Sequence, residues 1–176
     1  MNNKMIRRGP EHGAIYTKGT IGFGHRRLKI IDLSDASNQP FVDDNLGLAL
    51  VFNGAIYNYK ALRESLLQEG YTFSSKGDTE TILKAYHFWG QACVEKFNGM
   101  FAFVIYDSRN DTVFMARDRL GIKPLYYHKT DRRLVFASSL PALLEADGIE
   151  KEISPRALHY YMHFHAVVPA PDTLIQ

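Results

Sequence analysis

A chain of 176 residues that is 45% hydrophobic and 23% charged has the composition of an ordinary globular domain with a core of its own. Its 21 Lys and Arg against 19 Asp and Glu leave a net charge of +2, and the basic residues are scattered, which argues against nucleic acid as a partner. No apolar run is long enough to cross a bilayer and no secretory signal is read, so no membrane association is expected. The single cysteine, Cys93, excludes an internal disulfide framework, and the expected compartment is the reducing cytoplasm.

Residues 1–13, MNNKMIRRGPEHG, hold two arginines and a Gly-Pro turn with no buried element before it, a poor start for a compact domain. Residues 20–31, TIGFGHRRLKII, read as a strand and a second extended stretch with Arg26 and Arg27 between them, and residues 32–40 as a loop. Residues 46–58 open as an apolar run too short for a helix, hence a buried strand. Residues 59–69 place Leu62, Leu66 and Leu67 at helical spacing, with Asn58 as N-cap and Gly70 as the C′ stop. A short strand is expected over residues 70–78, ending in a Gly-Asp corner. The helix over residues 79–89 carries Ile82, Leu83 and Tyr86 on one face and stops at Gly90. A second short helical piece, residues 91–97, contains Cys93.

Strands at residues 100–106, 112–116, 125–128 and 134–137, joined by short polar turns, predict an antiparallel meander. Ser139 with Pro141 opens a short helix to about residue 146, and Ser154-Pro155 another to about residue 163. At least six strands and four helices, with the strands clustered late, favour an α+β fold of antiparallel sheets covered by helices.

Two readings compete at Asn53-Gly54. Asn-Gly is the strongest hairpin signal, yet the residues after it do not return as an alternating strand. The second reading ends the buried strand at this pair and breaks the chain toward a helix. There a side-chain amide and a backbone N–H can converge on one developing negative charge, as an oxyanion hole requires.

The segments GHRRLKIIDLS, NQPF, VFNGAIYNY, GDTETIL, GMFAFVIYD, ARDRLGIKPLYY and LVFASS occur in this order. Together, from about residue 7 to about residue 171, they closely resemble the class II glutamine amidotransferase domain at the N-terminus of asparagine synthetases. HRRLKIIDLS, with SLPALL and HFHAVVPAP further on, is most similar to the N-acetylglutaminylglutamine amidotransferase branch. The resemblance implies a four-layer αββα sandwich of antiparallel sheets, the N-terminal nucleophile hydrolase fold. It also implies a mechanism in which an N-terminal cysteine thiolate attacks the side-chain amide of glutamine. The cysteine's own α-amine, with a pKa near ~8, serves as base. Ammonia leaves, water releases glutamate from the thioester, and the ammonia travels to an ATP-using synthetase domain. ATP and Mg belong to that second domain, and no cofactor is expected in this chain.

Carried over by resemblance, Arg27 holds the glutamine α-carboxylate, as suits a planar two-donor fork, although an isolated arginine reads as a surface residue. Asp78 holds the substrate ammonium; it could equally be a helix N-cap, and one carboxylate can do both. Asn53 and Gly54 match the oxyanion-hole pair. Two departures from the pattern stand out. The family usually reads NGEIYN where this chain has NGAIYN, so Ala55 supplies no carboxylate and Asp78 carries more of the binding. The family opens Met-Cys-Gly on a buried strand, whereas this chain starts Met-Asn-Asn-Lys, so the nucleophile and first strand are expected to be absent.

Cys93, inside an amphipathic helical piece and without a free α-amine, reads as structural. His159 and His163 lie one helical turn apart with His165 nearby, but Tyr160 stands where a zinc hydrolase would want glutamate, so no metal is expected. Residues 1–150 are thus read as a glutaminase domain incomplete at its N-terminus, and residues 151–176 as the start of a linker to an absent synthetase domain. Glutamine is the expected small-molecule substrate and the synthetase domain of the same polypeptide the expected partner, with self-association through an exposed sheet edge. The chain by itself is expected to be inactive. The alternative is a non-catalytic glutamine-binding or interaction module of the same fold.

Overall fold

The computed structural model describes residues 1–164, 168–169 and 172–175. Its layering follows from β4 (Leu48–Ile56) and β5 (Gly99–Asp107), which pair antiparallel along their whole length. Side chains alternate across a strand, and both faces here are apolar, so this pair must be covered on both sides. Leu48, Leu50, Phe52, Ile56, Phe101, Phe103 and Ile105 face one way; Ala49, Val51, Val104 and Tyr106 face the other. Short β3 (Phe41–Asp43) and β6 (Thr112–Arg117) complete a four-stranded sheet in the order β3-β4-β5-β6.

The first face is covered by α1 (Tyr59–Gln68) and α2 (Asp78–Trp89) through Leu62, Leu66, Ile82, Leu83 and Tyr86. The short α3 (Cys93–Lys96) adds Cys93 to the same core. The second face meets two hairpins, β1 (His12–Lys18) with β2 (Ile21–Arg27), and β7 (Tyr126–Lys129) with β8 (Leu134–Ala137). Phe23 and Phe136, one from each hairpin, meet edge to face over Val51 and Val104, their rings 5.6 Å apart. Along β8 the alternation sends Val135 and Ala137 outward instead, against α4 (Leu140–Leu143) and Met5 of an N-terminal 3₁₀ turn (Asn2–Arg8). Helices, sheet, hairpin layer and helix make the αββα sandwich. A last helix, α5 (Pro155–His163), starts at Ser154, whose side chain accepts the N–H of Ala157.

Several expectations are corrected. The strand does not end at Asn53-Gly54: β4 continues to Ile56, with Asn53 opposite Ala102 and Gly54 opposite Phe101. Glycine is what permits this, since a Cβ at Gly54 would lie 2.1 Å from the Met100 carbonyl oxygen, on the neighbouring main chain. Residues 71–77 form no strand, because carboxylates replace a ladder partner. Glu80 takes the N–H groups of Ser74 and Ser75, and Asp32 takes that of Lys76. The expected four-strand meander is split, β5 and β6 belonging to the central sheet and β7 and β8 to the facing layer. The break is the segment after β6, where the Asp118 carboxylate accepts the N–H groups of Phe101, Ile122 and Lys123 and so turns the chain out of the sheet. β1 begins inside the stretch read as a poor start, and the described residues hold eight strands and five α-helices.

Asn58 occupies the N-cap position of α1, but its side chain does not cap. It donates to the Lys96 carbonyl at 2.9 Å and accepts from Asn98 N–H at 3.0 Å, tying α1 to the start of β5. Gly70, with φ +88°, ends α1 as expected: its N–H bonds the Leu67 carbonyl and that of Tyr71 the Leu66 carbonyl, the paired bonds of a Schellman motif.

Candidate functional site

The outer edge of β4 builds the site. In an antiparallel ladder every second residue turns its N–H to the same edge. Phe52 N–H leaves the ladder for the Gln39 side-chain carbonyl at 2.6 Å, and Ile56 N–H for the Asp78 carboxylate at 3.0 Å. Gly54 lies midway between them and turns the same way. The groups of Phe101, opposite Gly54, point toward β6, its N–H to the Asp118 carboxylate and its carbonyl to Asp118 N–H. β3 pairs only as far as Leu50. Among the described residues, therefore, nothing accepts the Gly54 N–H. An open backbone donor sits on a sheet edge between a glutamine amide and a buried carboxylate.

Asn53, one residue earlier, projects to the opposite face. It lines a cleft of about 590 Å³ between β2, β8 and the end of β4, with Phe23, His25, Val104 and Phe136. Arg27, Gly54 and Asp78 are not part of that lining. No hydrogen bond engages the half-buried Asn53 side chain among the described residues.

Asp78 is 5% exposed at the first position of α2, with Gly77 rather than Asp78 at the N-cap. Burial pushes its carboxyl above the ordinary value of 3.8, against the N–H groups of Ile56 and of the helix start, which pull it down. Arg27 closes β2 and is 6% exposed. Its guanidinium donates to the Ser34 carbonyl at 2.7 Å, to Asn38 Oδ1 at 2.7 Å and to the Asp32 carbonyl, all neutral oxygens. Neither Arg27 nor Asp78 belongs to any ion pair among the described residues. Burying a charge without a counter-charge is expensive, so each of these two groups is costly where it stands.

The two charges are linked through Asp32, whose carbonyl accepts from Arg27 and whose carboxylate accepts Lys76 N–H at 2.9 Å, two residues before Asp78. Below Asp78, Glu80 gathers Ser74, Ser75 and Lys84, the last at 2.7 Å, and so sets the shape of residues 72–77. Sequence reasoning missed Asp32, Gln39 and Glu80. The first two sat in a stretch read as loop, and Glu80 in a helix read for its apolar face. A buried-forming carboxylate two residues into α2 was the available signal.

Cys93 is 0% exposed, and burial pushes its thiol up to about 12. A thiol so placed is neither ionised nor reachable, so the structure gives it a packing role. Ala55, opposite Met100, adds no charge to the edge. His159 and His163 stack at 4.0 Å between ring centroids, and His163 Nδ1 lies 2.8 Å from the His159 carbonyl. His165 lies outside the described residues, among which no group of three or more His, Cys, Asp or Glu side chains could hold a metal ion.

A family model described as a glutamine amidotransferase domain matches residues 1–176. The chain belongs to that family. Among its relatives, asparagine synthetase [glutamine-hydrolyzing] 1 of Bacillus subtilis is 40% identical over 174 residues, which are 99% of this chain and 27% of the relative. A putative asparagine synthetase [glutamine-hydrolyzing] 2 of Methanocaldococcus jannaschii is 38% identical over 99% of this chain and 37% of its own length. The chain therefore spans about a quarter to a third of these relatives. Among solved structures, glutamine phosphoribosylpyrophosphate amidotransferase from B. subtilis superposes with a TM-score of 0.59 at 24% identity, over 76% of this chain and 31% of that one. That likeness concerns the sandwich itself. No helix among the described residues is long and apolar enough to cross a membrane.

Proposed function

We propose that this amidotransferase domain holds free glutamine for hydrolysis of its side-chain amide, the ammonia passing to an ATP-dependent synthetase domain of the same polypeptide. The observation that carries this reading is the pair of buried charges, Arg27 and Asp78, that have no ion-pair partner among the described residues and lie on either side of the Asp32 link. An α-amino acid brings a carboxylate for the first and an ammonium for the second. The open Gly54 N–H supplies a donor for the oxygen that becomes negative when the amide carbon is attacked, and Asn53, whose side chain opens into the neighbouring cleft, is the second donor that the family resemblance implies. ATP and Mg belong to the synthetase domain, to which residues 151–176 lead. Within the family the branch is that of the N-acetylglutaminylglutamine amidotransferases, which the phrasing HRRLKIIDLS, SLPALL and HFHAVVPAP supports.

The attacking thiolate is not among these residues, since Cys93 is buried with its thiol pushed up to about 12. The chain alone accordingly binds glutamine without turning it over. The rival, a non-catalytic glutamine-binding module, binds glutamine equally and stays silent when a Met-Cys-Gly strand is supplied ahead of residue 1.

Calorimetric titration with L-glutamine and glutamate release before and after that addition test the reading. Arg27→Ala and Asp78→Ala are each expected to weaken binding at least about tenfold, the worth of one charge-assisted hydrogen bond. Because Asp78 must be ionised to hold an ammonium, affinity is lost as pH falls through its raised value, starting above 3.8. Binding unchanged in both variants and flat with pH would refute the site.

A further inference from the structure

Among the described residues, the loop joining β2 to β3 is hydrogen-bonded to the loop joining α1 to α2 through one side chain. Asp32 is 8% exposed, and its carboxylate accepts Ser34 N–H at 2.9 Å, the Ser37 hydroxyl at 2.7 Å and Lys76 N–H at 2.9 Å. Its main-chain carbonyl accepts from Arg27. The contact is close on all sides: a Cβ on Gly77 would lie 2.9 Å from Ser37 Oγ and 3.3 Å from Asp32 Cβ. A local turn at residues 32–34 needs only the Ser34 bond. The Lys76 bond joins positions 44 residues apart and is superfluous to that turn.

We propose that Asp32 is the positioning residue that sets the spacing between the two charges of the glutamine site, holding Arg27 on one side and the Asp78 loop on the other. This rests on the reading of that site given above. Asp32 itself meets no substrate in this scheme. It makes two anchors act on one molecule at once, so the second contact forms without a further loss of freedom. Burial works to raise its carboxyl, but the hydrogen bonds from Ser37, Ser34 and Lys76 prevail and keep it ionised, so the clamp holds at any ordinary pH. Glu80 cannot do the same, because its partners all lie within residues 72–84 and none reaches the Arg27 loop.

Asn in place of Asp32 keeps the shape but has one acceptor oxygen. With its NH₂ toward Ser34 the tie to Lys76 survives only as a bond to a neutral oxygen, and with its NH₂ toward Lys76 that tie is lost, so in either orientation the hold between the two loops is weakened. The test compares L-glutamine with 4-carbamoylbutanoate, which lacks the ammonium, and 4-aminobutanamide, which lacks the carboxylate. Each is titrated calorimetrically into the native protein and into Asp32→Asn. Glutamine is expected to lose about tenfold in the variant while each single-charge analogue changes less than about twofold, so that the native preference collapses. A purely structural role would weaken all three ligands together or none of them, and either result overturns the proposal. A native protein that does not prefer glutamine over the analogues removes the glutamine site, and the clamp with it. Native preference kept intact in the variant removes the clamp alone. If Asp32→Asn does not fold, Ser37→Ala, which deletes one bond and leaves the carboxylate, is read the same way with an expected loss of about threefold.

Discussion

His25 offers a direct test of the packing between the hairpin layer and the central sheet. It lies on β2 with one ring nitrogen, Nε2, 3.2 Å from the Phe52 carbonyl and the other, Nδ1, buried without a partner. Only the neutral ring suits this place, its Nε2–H donating to the carbonyl. A proton added at Nδ1 would be buried unsatisfied beside the charge of Arg27 and close to His12. Burial, chiefly, with those neighbours assisting against the pull of the Phe52 carbonyl, lowers its pKa from 6.5 to about 4.

The sign follows from proton counting. Between these two values the unfolded chain binds the proton and the folded one does not, so stability falls as pH falls from 6.5 toward 4. At about 1.36 kcal/mol per pH unit, the whole interval amounts to about 3 kcal/mol, a large share of a small domain's stability. His25→Gln keeps an N–H for the Phe52 carbonyl and removes the titration. Urea unfolding of both proteins at pH 7, 6, 5 and 4 gives the comparison. The native protein should lose about 3 kcal/mol more than the variant over that range. Parallel curves would show that the ring is hydrated and that the layers do not seal there.

Gly54→Ala should cost roughly 1–3 kcal/mol or more, because its Cβ meets main chain that cannot step aside; a change within the error of denaturant titration would refute the close approach of β4 and β5. Glu80→Ala leaves Lys84 and the amides of Ser74 and Ser75 without their acceptor, and about 3–5 kcal/mol should be lost in the same assay. Proteolysis of Glu80→Ala should cut first within residues 72–77, and a first cut elsewhere would count against Glu80 as organiser of that loop. Among the described residues neither two-stranded hairpin pairs with a further strand, so light scattering after size exclusion should show mass rising with concentration, and a monomer throughout would exclude edge-to-edge pairing.

Much of the architecture was legible in the sequence because periodicity reports directly on burial. The alternate apolar positions of β4 and β5, the leucines of α1 and the glycines after α1 and α2 each carry a local signal that tertiary contacts reinforce. What escaped was non-local. The Asn-Gly pair reads as a stop because its turn preference is a local property, whereas the strand is carried through by β5, some 47 residues on, passing where a Cβ would be. Residues 71–77 read as a strand, yet the amides of Ser74, Ser75 and Lys76 are taken by Glu80 and Asp32, and no strand pattern distinguishes a carboxylate partner from a neighbouring strand. At the site, Arg27, Asp78, Asn53 and Gly54 were marked by resemblance. That the two charges lie buried with no ion pair among the described residues, and are joined through Asp32, is a fact of three-dimensional placement.

The brevity of β3 bears on any attempt to stabilise this protein. Three residues of pairing stop at Leu50, and the neighbouring chain then swings away so that Gln39 attends to Phe52. Extending that pairing past Phe52 as far as Gly54, four positions beyond Leu50, would complete the sheet and raise its melting temperature. It would also close the Gly54 amide into a permanent bond, and on the function proposed above the glutamine oxygen would then compete against a neighbour that never leaves. On that proposal the vacancy at this edge is the working part, and mutations selected for heat resistance alone will fill it.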